Sequence, residues 1–169
     1  MRARLGLSRR LVAARRLTVR LLEDAIRPGA EIDRFTASAK GAGAVASFLG
    51  TVRDLANDHG GDAVNGLHLE HHPVLTAAGI EAAIAKANES WPLIDALVLH
   101  RIGRVGVHEP IVLVCAASLH RRAAFQATDF LMDYLKTEAF FWKKEYRASG
   151  EVWIEPRDVD YKDAERWSG

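Results

Sequence analysis

Two apolar runs stand close together in the second half of the chain. They are LIDALVLHRIG at residues 93–103 and IVLVCAAS at residues 111–118. Both read as strands, and they follow one another through the short stretch RVGVHEP. Strands in succession break the strict βαβα alternation of a doubly wound sheet. The expected class is therefore α+β, with a mainly antiparallel sheet and flanking helices.

The remaining segments fit that frame. LTVRLL (17–22) reads as a short strand, and EIDRFTASAKG as a short helix closed by Gly41. GAVASFLGTV (43–52) reads as a buried strand. The loop RDLANDHGGDAVN after it is rich in Gly, Asp and Asn, so it is expected to be exposed and mobile. GLHLEHH alternates, with Leu67 and Leu69 on one face and His68 and Glu70 on the other. TAAGIEAAIAKANES carries Ile80, Ala83, Ile84 and Ala87 at helical spacing, and Trp91-Pro92 stops it. A helix is expected from about His120, with Phe125, Thr128, Leu131, Met132 and Leu135 inward. FWKKEYRASGEVWIE reads as a hairpin around Ser149-Gly150.

Charge is uneven along the chain. The formal net charge is +1, yet the first 16 residues hold six Arg and no acid. The expected organisation is a basic, mobile extension over 1–16, one domain over 17–155 and a polar tail over 156–169. A basic arm on a mildly acidic body is not the footprint of a dedicated nucleic-acid binder. No apolar run approaches the ~20 residues of a membrane helix. The one cysteine, Cys115, lies in an apolar run and reads as a buried small hydrophobe. A lone cysteine fits a reducing compartment, so a cytoplasmic location is expected.

Three groups of residues could carry chemistry. In MDYLKTEAFFWKKE, three lysines sit among aromatics. A helix running through Lys143 would put Lys136 and Lys143 on one face. A helix ending near Thr137 would place Lys143 on a strand, sharing a face with Glu145 and Arg147, while Trp142, Lys144 and Tyr146 share the other. Either way the aromatics can anchor the backbone while both lysines project toward a common space. The plainer alternative is lysines snorkelling on a solvated face. In SLHRR, His120 and Arg121 stand where a strand hands over to a helix, a place that favours anions such as phosphate. The plainer alternative is an ordinary polar turn. In LHLEHH, His68, Glu70 and His72 are a conceivable metal set, although Pro73 suggests that His72 is leaving the strand. Arg53, in GTVRD, is a further loop cation. Several cations without a cysteine pair suit an anionic, phosphorylated substrate.

GAVASFLGTVRD, LHLEHHP, HRIGRVGVHE, SLHRRAAFQATDFLMDYLKTEAFFWKKE and VWIE together resemble the large, catalytic subunit of molybdopterin synthase. The resemblance spans residues 17–155 in order. It implies an α/β-hammerhead fold and a sulfurtransferase of molybdenum cofactor biosynthesis. The substrate implied is precursor Z, a cyclic pyranopterin monophosphate, converted to molybdopterin by insertion of two sulfurs. The sulfur donor implied is a small ubiquitin-like subunit whose C-terminal Gly-Gly ends in a thiocarboxylate. The assembly implied is a homodimer with a small subunit at each end, a heterotetramer. No cofactor or metal is implied, and no nucleic acid or membrane.

By motif, Lys136 of DYLKT matches the family lysine beside the incoming tail, and Lys143 of FWK the second active-site lysine. Lys144 and Glu145 adjoin it. His120 and Arg121 match an HR pair contributed across the dimer interface. Arg53 matches the arginine of the VRD loop, with Thr51 and Val52 beside it in the substrate set. The chain departs from the family in HHPVL, where HYPGM is common, and in TEAFFWK, where TRAPFWK is common. Two other classes stay open: a metal-dependent hydrolase built on His68, Glu70 and His72, and a nucleic-acid module built on the Arg arm and FWKKEYR.

Overall fold

The computed structural model describes residues 16–54 and 63–167. The basic arm and most of the loop after Asp54, with His59, lie outside the described residues. The first sheet contains β1 (Arg16–Leu22), β2 (Ala44–Thr51), β4 (Leu93–Arg101) and β6 (Pro110–Ser118), in the order β1-β4-β6-β2. The second contains β3 (Val64–His71), β5 (Gly103–Gly106), β7 (Phe141–Arg147) and β8 (Gly150–Ile154), in the order β5-β3-β7-β8. β1 joins β4 in parallel; the other pairings among the described residues are antiparallel.

The two apolar runs become the central strands of the first sheet because both of their faces are covered. Successive side chains of a strand point to opposite sides. Ala96 and Val98 of β4 pack beneath α2 (Leu75–Ser90) and α3 (Arg121–Thr137). Leu97 and Leu99 pack with Leu113, Cys115 and Phe35, which belongs to α1 (Pro28–Ser38). Gly79 sits inside α2, where glycine weakens a helix. An added Cβ there would lie 2.6 Å from the Tyr134 hydroxyl, so the missing side chain is what lets α2 and α3 approach.

Three expectations are corrected. β2 is an edge strand, not a buried one, and leaves Val45, Phe48 and Leu49 37–43% exposed. On α3 the inward aromatic is Phe130, whereas Phe125 points out and is 66% exposed. Residues 158–165 form a helix, α4 (Asp158–Glu165), that lies against α3. Its polar composition concealed this, because its contacts are largely ionic. Arg166 reaches Asp129 and Asp133 of α3, and Trp167 donates to Asp133 at 2.7 Å while packing edge-on against Trp91 and Phe130.

Candidate active site

α3 ends at Thr137, where Tyr134 O accepts the backbone N–H groups of Glu138 and Ala139. Lys136 thus stands in the last helical turn and Lys143 on β7, which settles the two readings of the lysine cluster. On β7 the inner face carries Phe141, Lys143 and Glu145. The outer face carries Trp142, half exposed, and Lys144. Lys144 pairs with Glu151 at 3.1 Å and lies over the Trp153 ring at 4.5 Å. Of the cluster's aromatics, Phe141 and Tyr134 pack inward, whereas Phe140 and Trp142 are 44% and 50% exposed.

Lys136 and Lys143 both line one cavity of about 290 Å³ between the two sheets. Thr51, Val52 and Arg53 form part of its wall, together with Glu145. The turn carrying Arg53 is held by backbone bonds on both sides of Val52: its N–H donates to Glu109 O and its carbonyl accepts from His108 N–H. Burial pushes the Lys143 ammonium below the usual lysine range, and the nearby charge of Lys136 pushes the same way. Asp160 and Glu145 oppose the shift without cancelling it. A lysine held below its usual range gives up its proton more readily, which suits it to proton transfer.

Four ionisable residues that sequence reasoning missed also line the cavity: His100, Glu155, Arg157 and Asp160. Asp160 lies 3.3 Å from Lys136 Nζ and also accepts the Arg157 backbone N–H at 2.9 Å. Burial alone would raise the Asp160 pKa. The Arg157 backbone and side chain, with Lys136, outweigh it and hold the carboxyl below the usual range. Asp160 caps α4 one way only, by accepting the Arg157 backbone N–H from the first turn, and both residues lie in the segment read as a tail. His100 is buried with its ring stacked on Phe141 at 4.0 Å. Its sequence signal was a polar residue ending an apolar run.

Lys144, His120 and Arg121 stay outside this cavity. His120 and Arg121 are exposed at the start of α3, the end far from Lys136. The metal set does not form. His72 lies beyond β3, and its Nδ1 accepts the Val74 and Leu75 backbone N–H groups that open α2. His68 packs against Tyr146. Among the described residues no group of three His, Cys, Asp or Glu could hold a metal. Nor does FWKKEYR form a basic face, since half-buried Lys143 lines the cavity and Lys144 is paired. Cys115 is fully buried, and burial pushes its thiol up to about 12, with Glu31 adding to the shift. Among the described residues no helix is long and apolar enough to cross a membrane.

Residues 21–138 match the family model described as MoaE protein. The molybdopterin synthase catalytic subunit of Pseudomonas aeruginosa is 47% identical over 151 residues, covering 89% of this chain and 99% of that one. Among solved structures, the molybdopterin biosynthesis MoaE protein from Burkholderia ambifaria superposes with a TM-score of 0.75 at 40% identity, over 90% of this chain and 99% of that one. Molybdopterin synthase from Staphylococcus aureus gives 0.71 at 25% identity, over 79% and 94%. Fold, cavity and relatives define an enzyme of the molybdopterin synthase type, a sulfurtransferase of molybdenum cofactor biosynthesis. The chain belongs to the MoaE protein family.

Proposed function

We propose that this chain converts precursor Z to molybdopterin, taking one sulfur from the C-terminal thiocarboxylate of each of two successive small ubiquitin-like partner molecules, each of which leaves as a carboxylate. The observation that carries the reading is the meeting of Lys136 and half-buried Lys143 in one cavity with Arg53, where desolvation and Lys136 both disfavour the charge of Lys143. Arg53 binds the substrate phosphate. Lys136 stabilises charge on the thiocarboxylate carbonyl as sulfur leaves it. Lys143 moves the proton that each transfer requires. Cys115 takes no part, because a fully buried thiol has almost no thiolate to carry sulfur. The relatives are named as catalytic subunits, which fits a separate sulfur-carrying partner.

The working unit is a homodimer with one small subunit at each end. Two observations support this. His120 and Arg121 stand far from the lysines of their own chain, so they serve a neighbour's cavity. The edge strand β2 has no outer neighbour among the described residues, and it exposes Val45, Phe48 and Leu49, as an interface strand would. The catalytic unit extends beyond Glu155 through α4, because Arg157 and Asp160 belong to the cavity wall.

The test is a sulfur-transfer assay with purified chain, precursor Z and a thiocarboxylated small subunit. Molybdopterin should form, and Lys136→Ala should abolish it while leaving the melting temperature nearly unchanged. No product from the wild type, or near-normal turnover in the folded variant, overturns the reading.

A further inference from the structure

The backbone fixes the hydrogen-bonding state of His100, a cavity residue. Its Nδ1 lies 2.7 Å from the Arg101 carbonyl oxygen. A carbonyl can only accept, so Nδ1 carries the hydrogen. The ring is neutral at physiological pH, since burial pushes its pKa down to about 4 and the charge of Lys143 acts in the same direction. A neutral imidazole has one N–H. Nε2 is therefore a bare acceptor, and it cannot change roles without breaking the Arg101 bond. Stacking on Phe141 at an interplanar angle of 20° locks the plane of the ring.

The surroundings give this acceptor a purpose. Arg53, Lys136, Lys143 and Arg157 are donors only. Of the acceptors, Glu145 is already engaged by Arg147 and Asp160 by Lys136 with Arg157, while the Glu155 carboxylate and the Thr51 hydroxyl share the lining with His100. Among the described residues Nε2 has no hydrogen-bond partner. Cationic donors serve the phosphate and carbonyl oxygens of a pterin phosphate. The N–H groups of its ring need an acceptor, and a carboxylate already paired with cations offers a poor one.

We propose that His100 Nε2 accepts a hydrogen bond from a ring N–H of the pterin, so that it selects the heterocycle while the cations select the phosphate. This rests on the pterin phosphate reading above. Phe141 and Arg101 are then positioning residues, the first through the ring plane and the second through the tautomer.

The experiment is calorimetric titration of precursor Z into the purified chain without small subunit, so that no turnover occurs. Two variants are compared with the wild type. His100→Asn retains a side-chain N–H for the Arg101 carbonyl but does not reach the Nε2 position. His100→Phe retains the stack and has no acceptor. Inorganic phosphate is titrated as a second probe. Both variants should bind precursor Z about tenfold or more weakly, the effect of leaving a buried donor unpaired. Their phosphate affinity should match the wild type. Wild-type affinity for precursor Z in either folded variant overturns the proposal. An equal loss for both probes also overturns it, because the ring would then only shape the cavity. A wild type that binds phosphate but not precursor Z overturns the pterin reading itself.

Discussion

Arg121 and Lys136 stand at opposite ends of the same 17-residue helix, α3. The intervening rise is about 22 Å at 1.5 Å per residue. No rotation of either side chain closes that gap. If both residues serve one substrate, they come from different copies of the chain. Mixing inactive Lys136→Ala with inactive Arg121→Ala chains should then restore activity, because mixed dimers hold one intact site. Recovery approaching a quarter of the wild-type rate is expected for random pairing of equal amounts. An assay showing no recovery, with subunit exchange verified by mass, would place the whole site in one chain.

Lys143 is kept in the cavity at a cost to the fold. Burial and Lys136 both oppose its charge. Lys143→Met keeps the length of the side chain and removes that opposition. Its melting temperature should equal or exceed the wild type, while turnover should fall roughly a hundredfold, as when a transition-state donor is lost. A strongly destabilised Met variant would show that the charge is well compensated by Asp160 and Glu145.

Asp160 positions Lys136 from α4 at 3.3 Å. Asp160→Asn keeps an acceptor for the Arg157 backbone but removes the ion pair. Because Lys136 is 41% exposed, the loss of stability should stay within about 1 kcal/mol. Turnover should fall by about tenfold through misplacement of the ammonium. Unchanged kinetics would leave α4 with a purely structural role.

His100 should couple stability to pH. In the unfolded chain it titrates near 6.5, and in the fold near 4. The unfolded chain therefore takes up a proton that the fold refuses. This contribution is complete above pH 6.5 and is lost as pH falls toward 4, by about 3 kcal/mol over the full window. Urea unfolding at pH 7 and pH 4.5 should show a smaller pH loss in His100→Phe than in the wild type, by about 2 kcal/mol. Identical losses would mean that the ring is not held neutral.

Cys115→Ala should cost on the order of 1 kcal/mol of packing and keep sulfur transfer. A small subunit lacking its last glycine should yield no product with the wild-type chain. The reverse pair of results, followed by molybdopterin formation, would move the sulfur source onto this chain.

The sequence by itself determined most of the strands, most of the helices and the family; β5 lies where only a connection was read. The near-continuous apolar runs LIDALVLHRIG and IVLVCAAS are a local property, because burial on two faces demands apolar residues at nearly every position. The lysines of DYLKT and FWK were legible because a short motif carries them. Tertiary structure alone decided where α3 stops and hence that Lys143 faces Lys136 from another element. It decided that β2 is an edge, which an apolar strand cannot reveal because an interface and a core require the same residues. It also brought Asp160 and Arg157 into the cavity. Their segment looks like a solvated tail, and its charges acquire partners only once α3 presents Lys136, Asp129 and Asp133 across a gap that sequence distance does not encode.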